Sequence, residues 1–74
     1  MLKGGKTMRL TLKALRVNKS LTQEEAAKAI VVSKYTWSNY EQGKTFPDVP
    51  TIETIEKVFD VTYSDIIFLP NSTV

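Results

Sequence analysis

Two helix-capping hydroxyls, Thr22 and Ser33, stand eleven residues apart, and that spacing constrains the fold more than any other feature of the chain. Thr22-Gln23-Glu24-Glu25 is a capping box: the Thr22 hydroxyl accepts from the Glu25 amide, and the Glu25 carboxylate reaches back. Leu21 just before it is placed to act as a hydrophobic staple. Ala26, Ala27 and Ala29 are small and Ile30 closes the apolar face, so a second helix can cross closely. Ser33 then caps a helix over 34–42. Gly43 stands where a helix ends in a left-handed residue.

The flanking segments read as helical too. Thr11 caps a helix over 12–18 with Leu12 and Leu15 on its buried stripe, and Asn18-Lys19-Ser20 closes it. Pro47 bars continuation of the Ser33 helix. Asp48 caps a fourth helix, which tolerates Pro50 because first-turn amides lack an intrahelical partner. Val49, Ile52, Ile55, Val58 and Phe59 form its buried stripe. Asp60 takes the left-handed closing position that Asp tolerates better than most residues. Thr62 with Asp65 opens a last short helix over 63–67, and Ile66, Ile67, Phe68 and Leu69 supply its apolar content before Pro70 stops it. No alternating strand pattern, repeat or low-complexity segment is visible. The expected fold is therefore all-α: a compact five-helix domain over 10–69, with a loose leader over 1–9 and a tail over 70–74. Within it, two helices joined by Val31-Val32-Ser33, about 22–42, have the spacing of a helix-turn-helix.

With 74 residues and 42% hydrophobic content, the chain builds one modest core near the lower size limit for folding without disulfides or metal. Cys and His are both absent, so no disulfide forms, and the commonest zinc sites and nucleophile–base pairs cannot be assembled. Glu24, Glu25 and several Ser and Thr give no convergent acid–base pair, phosphate loop or metal cluster. The expectation is a protein that is not an enzyme, with no cofactor, no metal and no evident small-molecule substrate. Neither a bilayer-spanning apolar run nor a signal-peptide stretch is present, which points to a cytoplasmic protein. The net charge of +2 conceals an asymmetry: residues 1–47 hold nine of the ten Lys and Arg but three of the eight acids. A basic half suits a polyanion such as nucleic acid, although ordinary charge scatter produces the same pattern.

The helix over 34–42 has two unlike sides. At about 100° per residue, Lys34, Tyr35, Ser38, Asn39 and Gln42 fall within roughly 140° of one another. Trp37 and Tyr40 fall on the opposite side, with Glu41 toward the buried edge. Asn and Gln pair bidentately with an adenine edge, Lys donates to guanine, Ser donates or accepts, and Tyr offers a ring and a hydroxyl. A solvated surface helix shows the same polarity, so the wheel alone leaves both readings open.

The stretch "LTQEEAAKAIVVSKYTWSNYEQGKTFP", with "IEKVFDVTYSDII" after it, resembles the Cro and phage-repressor type of transcriptional regulator, which carries a lambda-repressor-like DNA-binding domain. The likeness covers about residues 10 to 69, and its specificity lies in the combination of "LTQEE", "VS" and "YEQGKTFP". It implies that Lys34, Tyr35, Ser38 and Asn39 read bases, with Asn39 alternatively holding a phosphate. It implies phosphate contacts for Gln23, where the helix N-terminus favours an anion, and for Lys44 and Thr45. It implies a structural ion pair between Arg16 and Glu41, whose disruption costs about 3–5 kcal/mol if buried and below about 1 kcal/mol if exposed. The sequence departs from the family at Val31, where the turn usually carries glycine: either the dihedrals differ or strain is tolerated. Trp37 is bulkier than the usual aliphatic and is expected in the core.

The resemblance implies a sequence-specific regulator of double-stranded DNA, of phage or bacterial repressor type and nucleoid-associated. Its recognition helix would enter the major groove, and it would act as a homodimer on an operator with half-sites about 34 Å apart. Phe68-Leu69 and the surfaces beside the last two helices are candidates for the dimer contact, with core the preferred role for Phe68. The competing reading is a protein-binding module of the same fold, antitoxin-like or an anti-repressor partner, since fold does not fix function.

Overall fold

The structure, a computed structural model, describes residues 9–69; the expected leader through residue 8 and the tail from residue 70 lie outside them. The described elements run β1 (Leu10–Thr11), α1 (Leu12–Asn18), α2 (Gln23–Ala29), α3 (Lys34–Gln42), α4 (Val49–Phe59), a single 3-10 turn over Tyr63–Asp65, and β2 (Ile66–Ile67). Each α-helix starts at a side chain that satisfies a free backbone amide. Thr11 accepts from the Ala14 amide at 3.1 Å, Thr22 from Glu25 at 3.0 Å, Ser33 from Thr36 at 3.0 Å and Asp48 from Thr51 at 3.0 Å. The Thr22 box is complete, with the Glu25 carboxylate accepting from the Thr22 amide at 2.9 Å.

Among the described residues four α-helices form, where the sequence suggested five. Thr62 and Asp65 do meet, the Asp65 carboxylate accepting from the Thr62 amide at 3.1 Å, but one turn follows and the chain then extends. The β-branched pair Ile66-Ile67 continues as a strand, parallel to β1, with Leu10 beside Ile66 and Thr11 beside Ile67. A short apolar run carries no period that separates strand from helix. Here the unpaired edge of β1 supplies the backbone partners, and the expected absence of strands is corrected.

The core gathers Leu12 and Leu15 from α1, Ala26, Ala27 and Ile30 from the α2 segment, Trp37 from α3, Ile55 and Phe59 from α4, and Ile66 from β2. Trp37, Ile55 and Pro47 are the largest side chains wholly withdrawn from water. The expected stripe of α4 holds at Ile55 and Phe59 and partly at Ile52 and Val58, but Val49 is 66% exposed. It occupies the first residue of α4, a turn before the helix meets the core. No helix among the described residues is long and apolar enough to cross a membrane.

Among the described residues three connections need left-handed backbone outside glycine: Ser20, Val31 and Asp60, at φ 58°, 64° and 56°. Val31 is the costly one, because its branched Cβ crowds the neighbouring carbonyl. The turn requires this geometry. The Val31 amide donates to the Lys28 carbonyl at 3.2 Å and the Val32 amide to Ala27 at 2.9 Å, which closes α2. Of the two readings of the turn, strain is the one realised. Since the Val31 side chain is 84% exposed, almost no packing offsets it. Val31→Gly is expected to stabilise the fold by about 1 kcal/mol, the left-handed penalty less the chain entropy that Gly adds to the unfolded state. The urea midpoint should rise at constant m-value; an unchanged or lower midpoint would show that the turn carries no strain.

Candidate functional site

α3 is closed at both ends. Ser33 caps its start and also donates its hydroxyl to Thr36 Oγ1 at 2.9 Å. Gly43 ends it at φ 77°, with the Lys44 amide donating to the Asn39 carbonyl at 2.9 Å and the Gly43 amide to Tyr40 at 3.2 Å. That pair of reversed bonds needs a left-handed residue between helix and loop, which glycine adopts without a steric penalty.

The inner side of α3 is anchored by Trp37. Its ring stacks on Phe59 at 6.0 Å between centroids and 22° between planes, and meets the Tyr40 ring edge-on at 6.3 Å. Tyr40, expected to be buried, is half-buried. Burial, with the Asp48 carboxylate adding to it, raises the Tyr40 phenol above its ordinary value, so it stays neutral.

Beneath α3 lies one buried carboxylate with four donors. Glu41 Oε2 accepts from Arg16 Nε and from the Trp37 indole N–H, both at 2.5 Å. Its Oε1 accepts from Gln23 Nε2 at 3.1 Å and from the second Arg16 nitrogen at 3.3 Å. Arg16 also donates to the Leu21 carbonyl at 2.9 Å. The expected ion pair is present, its carboxylate buried and its guanidinium part-buried, with side-chain exposures of 5% for Glu41 and 13% for Arg16. Burial by itself raises the Glu41 pKa; the bonds from Arg16, Gln23 and Trp37 together with the Arg16 charge outweigh it, and the net shift is downward.

The outer side of α3 carries Lys34 and Tyr35 exposed, Tyr35 at 77%, with Ser38 and Asn39 half-exposed and Gln42 exposed. These residues share one face, as the wheel placed them. Gln42 Nε2 donates to Ser38 Oγ at 2.9 Å, which joins Gln42 to the set. Lys44 and Thr45 are exposed in the turn after Gly43. Gln23 lines an open cleft of about 550 Å³ together with Arg16, Thr22, Glu24 and Lys34. The structure thus brings Gln23 and Lys34 to one cleft.

Sequence reasoning missed two of the Glu41 donors. Trp37 stands four residues before Glu41, a spacing that puts both on one helix face, so a signal existed. Gln23 is eighteen residues from Glu41, and no local pattern announces its inward bond. No group of three or more Asp, Glu, His or Cys suited to a metal ion occurs among the described residues.

Breaking the buried pair gives the first test of this arrangement. Arg16→Met strands the Glu41 charge and should cost about 3–5 kcal/mol. On acidification the unfolded chain binds the Glu41 proton first, because the folded pKa is the lower. The contribution is therefore full above the ordinary glutamate value of about 4.3 and is lost as pH falls through the lower folded value. Urea midpoints across that window should fall more steeply for the native protein than for Glu41→Gln; parallel slopes would remove Glu41 from the acid response.

A model of the helix-turn-helix domain matches residues 8–65. The HTH-type transcriptional activator BcrR of Enterococcus faecalis is 38% identical over 56 residues, which are 76% of this chain and 28% of that protein. The cryptic phage CTXphi transcriptional repressor RstR of Vibrio cholerae is 36% identical over 56 residues, again 76% of this chain and 50% of that protein. The chain thus spans half or less of the length of these curated relatives.

Proposed function

The chain belongs to the helix-turn-helix domain family, and we propose that it is a sequence-specific regulator of transcription that lays α3 into the major groove of duplex DNA. The observation that carries this reading is the outer face of α3. Lys34, Tyr35, Ser38 and Asn39 stand together on it, with one cation, no carboxylate and hydrogen-bonding groups matched to base edges. The back of that face is anchored, since Trp37 stacks on Phe59 of α4 and Glu41 pairs with Arg16 of α1. Lys44 and Thr45 beyond Gly43, and Gln23 at the start of α2, flank α3 at both ends and suit contacts to phosphates. The reading assigns residues 10–69 to one DNA-binding domain, acting as a phage-type or bacterial repressor in homodimeric form.

The relatives carry opposite signs in their names, one an activator and one a repressor. Both descriptions involve transcription, and that common element supports the reading.

Selection from random duplexes at two salt concentrations tests it, comparing the native protein with a Tyr35→Ala, Asn39→Ala double variant. The native protein should enrich a motif, and its affinity should fall with salt at a log–log slope of about −0.9 per phosphate contacted. The double variant should lose the motif, with about 1–3 kcal/mol lost per base contact. Equal, weak and motif-free binding by both proteins would overturn the reading in favour of a protein-binding module, antitoxin-like or an anti-repressor partner.

A further inference from the structure

The outer face of α3 carries a side-chain pair whose polarity is defined. Gln42 Nε2 donates to Ser38 Oγ at 2.9 Å, between residues four apart, a spacing that sets one side chain above the other on a helix. Gln42 is exposed and Ser38 half-exposed, so the pair belongs neither to the core nor to a cap. An amide N–H only donates, so the serine oxygen is the acceptor and its proton stays uncommitted. A helical hydroxyl often returns that proton to the carbonyl four residues back. Thr54 does so on α4, donating to Pro50 at 3.1 Å. Ser38 makes no such bond among the described residues, where its one side-chain contact is with Gln42. Gln42 thus holds the hydroxyl away from its own backbone, with the proton available to whatever meets this face.

We propose that Gln42 is a positioning residue for specificity: it fixes Ser38 as a hydrogen-bond donor, so that Ser38 selects a base with an acceptor on its major-groove edge. The inference rests on the DNA-binding reading above and deepens it at one base. Guanine offers N7 and O6 on that edge, thymine O4 and adenine N7, while cytosine offers only its N4 amine, a donor. A hydroxyl released from Gln42 would suit either kind of edge. It could return its proton to the Lys34 carbonyl, as Thr54 does to Pro50, and turn its lone pairs outward to cytosine. Held by Gln42, it meets cytosine donor to donor, and the proton is left without a partner. The penalty falls on cytosine alone.

Selection from random duplexes with the native protein, Ser38→Ala, Gln42→Met and Gln42→Glu tests the assignment. Gln42 is exposed, so neither substitution there removes core packing. The base position read by Ser38 is the one whose preference Ser38→Ala loses. There the native protein should disfavour cytosine about fivefold, the worth of one net hydrogen bond. Gln42→Met keeps the side-chain length without the amide; it should admit cytosine on equal terms and leave the other positions of the motif unchanged. The carboxylate of Gln42→Glu takes the Ser38 proton and turns the serine lone pairs outward. That variant should bind every duplex more weakly, through its charge near phosphates, and should favour cytosine at the Ser38 position. A native preference that survives both substitutions overturns the proposal. So does a native motif with cytosine at that position, or a motif that Ser38→Ala leaves intact; in each case the DNA-binding reading stands. A native protein that selects no motif overturns that reading, and this proposal with it.

Discussion

The carboxylate of Glu41 is the constraint on which the arrangement of helices depends. A charge withdrawn from water costs several kcal/mol unless its lone pairs are met. Here Arg16 of α1, Gln23 of α2 and Trp37 of α3 meet them. Any rotation of α3 that carried Glu41 away from these donors would leave a buried charge unpaired. Trp37 extends the constraint to α4, because the indole that donates to Glu41 stacks on Phe59. A well-packed apolar cluster of equal volume would stabilise the fold at least as well. What the ion pair adds is direction: it penalises wrong orientations of α3 more steeply than non-directional apolar contacts do.

What could be read from the sequence divides along the range of the interactions. The four helix starts were legible because a cap and its amide partner lie three residues apart. The ends at Gly43 and Asp60 were legible because left-handed backbone admits few residue types. The β1–β2 pairing was not, since two-residue strands have no alternation to detect and their partners lie at opposite ends of the domain. The same gap turned Ile66-Ile67 into an expected helix. Val49 was misassigned for a different reason. Periodicity says which side of a helix faces inward but not how far along the helix the core extends. On α3 the wheel separated inner from outer side chains correctly, while the Gln23–Glu41 bond, set by the crossing of α2 over α3, left no trace in either helix alone.

Strain and order sit side by side at the turn between α2 and α3. Val31 holds an unfavourable φ, and the reversed hydrogen bonds from Val31 and Val32 close α2 around it. Ser33 then starts α3 two residues later. A turn this short transmits its geometry directly into the start of α3, so the cost at Val31 is tied to how Lys34 and Tyr35 are presented. The Glu41 network grips α3 near its other end. Between them the helix is fixed at both termini.

The outer face of α3 is consequently not a row of independent side chains. Ser38 Oγ accepts from Gln42, which leaves the Ser38 proton free to donate and the Gln42 carbonyl free to accept. Gln23 likewise has one amide N–H committed to Glu41. Lys34 and Tyr35 make no side-chain hydrogen bond among the described residues. Ordering a long side chain such as lysine costs about 1.5–2 kcal/mol, comparable to what one well-made base contact discriminates. In the proposed complex, the groups already held by neighbours give up less entropy than Lys34 on meeting a base. Within that proposal, Ser38, whose hydroxyl Gln42 already holds, would meet a base at a smaller entropic cost than Lys34.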